Sequence, residues 1–118
     1  MRHQLALCAV LIFGLASNSQ AAVPSVAVDI APLHSLVSQV MEDVGEPTLL
    51  IPAGASPHHH TLRPSDAKAL EDADVVFWIG KRLSPWLDKA VTNLASSAQS
   101  VEVLHLEGNS SYLSRKGA

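Results

Sequence analysis

The sequence predicts an α/β fold, a parallel sheet with helices on both faces, and three observations carry that prediction. Apolar runs of four or five residues alternate along the chain with longer stretches whose apolar residues recur every three or four positions. The short runs are nearly continuous in apolar character, as strands covered on both faces require. Proline and glycine stand at the boundaries between the two kinds of segment.

Val26, Ala27, Val28, Asp29 and Ile30 make the first predicted strand. Pro32 opens a helix in which Leu33, Leu36, Val37, Val40 and Met41 share one stripe, and Gly45 is placed to stop it. Residues 48–51 form a second strand, ended by Pro52. Pro64, Ser65 and Asp66 open a second helix carrying Ala67, Leu70 and Ala73, and residues 75–79 form a third strand ended by Gly80. Ser84 and Pro85 read as N-cap and first position of a third helix that presents Leu87, Val91 and Leu94. Residues 101–104 make a fourth strand. The order βαβαβαβ points to parallel strands joined by helical crossovers.

The amino terminus predicts export. Met1, Arg2 and His3 give a positive start, residues 5–16 are apolar, and Ser19, Gln20 and Ala21 offer the small-x-small pattern of signal-peptidase cleavage. A spanning helix needs about 20 apolar residues in a row, and Ser17, Asn18, Ser19 and Gln20 break this run. Residues 1–21 are therefore a predicted signal peptide, with a buried N-terminal helix as the alternative. Cleavage after Ala21 removes the only cysteine, Cys8, and leaves 97 residues with 7 basic and 11 acidic side chains, a net charge of −4. An exported chain without cysteine fits the periplasm, where disulfides are permitted and not required. Without a basic stripe there is nothing to neutralise phosphates, which argues against nucleic acid.

His58, His59 and His60 stand together in the segment between the second strand and the second helix, behind Gly54 and Pro57. Neutral imidazole is a good ligand for zinc and its neighbours, so a metal is the first hypothesis and a surface cluster without a ligand the second. His58 and His60 could both reach one ion from an extended loop, because alternate side chains point the same way. A pair of imidazoles would bind more weakly than the three or four ligands of a complete zinc site.

Residues 52–58 (Pro-Ala-Gly-Ala-Ser-Pro-His), then Leu62, Arg63, Pro64, Ser65 and Asp66, then residues 73–80 (Ala-Asp-Val-Val-Phe-Trp-Ile-Gly) resemble the amino-terminal lobe of the zinc-binding periplasmic proteins of ABC uptake transporters, the ZnuA-like group. Residues 30–36 and 46–50 are similar to the segments that flank the loop in that family. The resemblance implies one lobe, incomplete, of a two-lobed metal-binding solute-binding protein. It implies Zn2+ as the transported ligand, captured between the lobes and delivered to an ABC permease in the inner membrane. His58 falls on the family's first metal ligand, while His59 and His60 fall where the family more often has a polar and an aromatic residue. They remain possible ligands by their own chemistry. The expected organisation is a signal peptide, 1–21, an amino-terminal metal-binding lobe, 22–108, and an irregular tail, 109–118, where the family continues into a bridging helix and second lobe. A truncated, non-transporting fragment and a manganese- or iron-binding relative are the alternatives.

The remaining polar residues have plainer readings. His34 is expected to pack or cap, His105 in the final apolar run to have a structural role, Trp78 and Trp86 to be core or lobe-surface aromatics, and Asp66, Glu71, Asp72 and Asp74 to lie on a solvated helix face and its boundary. Asp66 also suits the positive end of its helix. No paired catalytic carboxylates, phosphate-binding glycine loop, nucleophile elbow or His-Glu-x-x-His helix is present in the sequence, so an enzyme is not expected.

Overall fold

The structure, a computed structural model, describes residues 21–112. Residues 1–20, nearly all of the predicted signal peptide, and 113–118, the end of the tail, lie outside the described residues.

Four strands, β1 (Val26–Val28), β2 (Thr48–Leu49), β3 (Val75–Trp78) and β4 (Gln99–Glu102), form one parallel sheet in the order β2-β1-β3-β4. Helices α1 (Ala31–Val40), α2 (Pro64–Glu71) and α3 (Pro85–Leu94) are the crossovers, and a 3-10 turn, Val103–His105, follows β4. The chain steps from β1 to β2 in one direction and then crosses back to β3 and β4 in the other. With right-handed crossovers, that reversal sends α1 to one face and α2 and α3 to the opposite face. The buried clusters agree. Ala27, Val76 and Trp78 pack with Leu70 of α2 and with Leu87 and Val91 of α3. Their strand neighbours Val26 and Val28, with Val75 and Phe77, pack with Leu33, Val37 and Met41 of α1.

The parallel α/β sheet is as expected, and the differences are local. β1 is shorter than residues 26–30, and the Asp29 side chain lies just past its end. Its Oδ1 accepts from the Ile30 N–H at 2.7 Å and its Oδ2 from the Ile79 N–H at 2.9 Å, tying the carboxyl ends of β1 and β3 together. Gly45 does not stop α1. The helix closes at Met41, whose N–H bonds back to Val37, and Asp43 takes the left-handed conformation at φ 66°. The expected stripe on α1 splits, for Leu36 and Val40 are 61% and 84% exposed while Val37 and Met41 are buried. The helix meets the sheet over a narrower arc than its apolar residues occupy. Ala73 falls beyond α2 but is still buried in the core. Ser84 occupies the N-cap position without capping, its buried Oγ having no partner among the described residues. β4 begins two residues before the expected 101–104, because Gln99 and Ser100 pair with Val75 and Val76 on an exposed edge where polarity is tolerated.

Gly80, just after β3, makes a sharp prediction. Its φ is +143°, and a Cβ there would lie 2.5 Å from Oε1 of Glu102, the oxygen that accepts the Lys81 N–H. Gly80→Ala combines backbone strain with a clash and is expected to cost about 2 kcal/mol. A urea midpoint equal to that of the parent chain would refute it.

Candidate metal centre

In a doubly wound sheet, ligands gather beyond the carboxyl ends of the strands, near the point where strand order reverses. The histidine loop, residues 52–63, leaves the carboxyl end of β2, and α3 starts beyond the carboxyl end of β3. Both elements therefore stand at that edge.

The loop is built by local turns and a few long bonds. The Ala55 N–H reaches the Pro52 carbonyl at 3.0 Å, and Gly54, at φ 85°, supplies the positive φ of that turn. The Trp86 indole N–H donates to the Pro57 carbonyl at 2.8 Å. His58 and His59 follow, both exposed, with ring centroids 6.4 Å apart. His60 turns inward: its side chain is 8% exposed, and its ring lies 5.1 Å from that of Trp86.

His60 is held there by Asp66, its Nε2 standing 3.0 Å from Oδ2. An ionised carboxylate only accepts, so the His60 Nε2 carries a hydrogen and donates it to Asp66. Asp66 is 3% exposed, which corrects the expectation of a solvated face. It also accepts from the Arg63 backbone N–H at 2.9 Å and from the Arg63 guanidinium at 2.7 Å, and that guanidinium reaches the Leu50 carbonyl at 3.0 Å. One carboxylate thus caps α2 and fastens both His60 and the loop's end to the strand from which the loop left. The other predicted members of the acidic group, Glu71, Asp72 and Asp74, are exposed as expected. His34 packs as expected, its Nε2 donating to the buried Pro47 carbonyl at 2.9 Å. His105 is exposed and pairs with Glu102 at 2.8 Å.

Burial by itself raises the Asp66 pKa, but the hydrogen bonds from Arg63 and His60 and the Arg63 charge outweigh it and draw the value down from 3.8 to about 2. A lowered folded pKa contributes stability that is present above 3.8 and lost as pH falls through about 2. Asp29 has the opposite sign. Burial raises its pKa, against hydrogen bonds from Ile79 and Ile30, so its contribution is full below 3.8 and lost as pH rises through the folded value. The urea midpoint is expected to fall between about pH 4 and pH 2 in the parent chain and to stay flatter over that window in Asp66→Asn. Equal acid limbs would show that Asp66 is not the group responsible.

The loop therefore divides. His58 and His59 face solvent, while His60 is part of the scaffold. Among the described residues, no three His, Cys, Asp or Glu side chains converge on one point. Sequence reasoning missed the burial of Asp66 and Asp29 and the bond from Trp86 to Pro57, while Trp86 otherwise packs half-buried against the core as expected. For Asp66 a signal was present, an acid three residues after the helix N-cap. For Asp29 it was the single acid in an apolar strand. The Trp86 bond joins residues 29 apart and left no local signal.

The sequence model of the family described as zinc-uptake complex component A, periplasmic, matches residues 26–115. Among curated proteins, the high-affinity zinc uptake system protein ZnuA of Paracoccus denitrificans is 43% identical over 88 residues, 75% of this chain and 27% of the relative. The ZnuA protein of Brucella abortus is 38% identical over 116 residues, 98% of this chain and 35% of the relative. The chain thus spans about a third or less of these relatives' length. The fold is similar to that of the Mn-bound periplasmic metal binding protein of Candidatus Liberibacter asiaticus, with a TM-score of 0.62 at 22% identity over 72% of this chain and 32% of the other. It is also similar to Zn(II)-bound AdcA of Streptococcus pneumoniae, with a TM-score of 0.60 at 20% identity over 70% of this chain and 18% of the other. With the family model covering all four strands and the histidine loop, the chain belongs to the ZnuA family of periplasmic zinc-uptake components.

Proposed function

We propose that this chain serves zinc uptake as an exported binding module, capturing Zn2+ at His58 for delivery to an ABC permease. The observation that carries the reading is the loop itself: an exposed imidazole at the carboxyl edge of the sheet, between two segments fastened to α3 and α2. The names of the curated relatives support zinc over the harder ions, and an imidazole donor suits zinc better than manganese. Export through a signal peptide, residues 1–21, belongs to the same proposal. The work is binding and release, with no chemical step for the side chains to perform.

Zinc binding needs three or four protein ligands for a complete site, and His58 supplies one. We propose that the others come from the part of the relatives that this chain does not span. Transfer to a permease then requires the ligands on the two sides to part. Titrating zinc into the chain against a chromogenic chelator, beside His58→Ala, tests the reading. Tight zinc binding that His58→Ala leaves unchanged would overturn it.

A further inference from the structure

We propose that Trp86 is a positioning residue for the metal ligand, holding the peptide unit from which His58 departs; this rests on the reading of His58 as a ligand. The Pro57 carbonyl and the His58 N–H belong to one planar peptide. A hydrogen bond of 2.8 Å from the Trp86 indole to that carbonyl therefore fixes the plane about which the His58 backbone turns. The ring of the same indole has its centroid 5.1 Å from that of His60, tilted by 47°, so one side chain meets the loop on each side of the exposed pair His58 and His59.

The support behind Trp86 is rigid. It sits in the first turn of α3, next to Leu87, which is fully buried and lies one turn before Val91. The downstream contact is equally anchored, since His60 bonds Asp66 at 3.0 Å and Asp66 caps α2. The loop between has no regular secondary structure of its own, and the indole bond is the contact that holds the His58 peptide directly. Holding it before the metal arrives removes an ordering cost that would otherwise be subtracted from affinity. Residues that orient a ligand are typically worth 10–100-fold in metal affinity.

The test is a zinc titration of the full chain in four forms: parent, Trp86→Phe, Trp78→Phe and His58→Ala. Trp86→Phe keeps an aromatic ring against His60 and deletes only the donor. Trp78→Phe deletes a comparable indole bond, to Ser100 Oγ at 3.1 Å, in the β3–β4 pairing and is the control. The expected result is zinc affinity about tenfold weaker in Trp86→Phe and unchanged in Trp78→Phe. If Trp86→Phe binds as the parent does while His58→Ala loses binding, the positioning role is overturned and the ligand reading stands. If His58→Ala binds as the parent does, the ligand reading falls and the positioning role falls with it. A second measurement holds even if Trp86→Phe does not fold. The chain has two tryptophans, so in Trp78→Phe the indole emission belongs to Trp86 alone, and it should change with the same midpoint as zinc binding. Emission indifferent to zinc would overturn the proposal.

Discussion

His58→Ala is expected to weaken zinc binding at least about tenfold, whereas His59→Ala should change it less than about threefold. The two residues are adjacent and both exposed, so composition does not separate them. Anchoring does. The peptide before His58 is fixed by Trp86, while the His59 ring has a centroid 6.4 Å from the His58 ring as its aromatic neighbour. His60→Ala belongs to a different class. Its Nε2 proton is committed to Asp66 and its ring is buried against Trp86, so its removal should lower stability more clearly than it lowers zinc affinity. Competition with a chromogenic chelator measures the affinities, and urea unfolding of the same variants measures the stabilities. Equal losses of affinity from His58→Ala and His59→Ala would mean that the loop binds zinc as an unstructured histidine cluster.

Asp66→Ala is expected to destabilise the folded chain by about 2 kcal/mol at neutral pH. The carboxylate is buried and receives bonds from the Arg63 backbone, the Arg63 guanidinium and His60. Truncation leaves the first turn of α2 without its cap and the His60 Nε2–H without an acceptor in a nearly closed site. Asp66→Asn should cost less, because an amide oxygen can still accept from the Arg63 N–H while losing the charge that holds the guanidinium. The order parent, Asn, Ala in urea midpoint checks this. If both substitutions are neutral, the burial of Asp66 is incidental and the loop is held by Trp86 alone.

Much of the fold was legible in the sequence because it depends on local pattern. Continuous β-branched runs specify strands covered on both faces, and proline with glycine marks where they end. Those signals placed three helices and four strands, with all four strands shifted in extent. Two of these shifts coincide with non-local contacts. β1 stops where the Asp29 carboxylate turns to bond Ile79, 50 residues away, and β4 starts where pairing with Val75 begins and not where apolar residues do. The stripe on α1 overstated the buried face because periodicity records which residues could be covered, while the neighbouring elements decide which are.

By itself the sequence determined the α/β class and the parallel crossovers, because strand and helix periods are properties of neighbouring residues, and its resemblance to the family made His58 the residue to test. Only the tertiary structure decided that His60 belongs to the scaffold, that Asp66 is buried and ionised beneath it, and that an indole on α3 grips the peptide before His58. Each of those depends on a contact between different elements at one edge of the sheet. The direction in which an imidazole points is set by what its ring and its backbone are fastened to, and in this loop much of the fastening comes from residues distant in the chain.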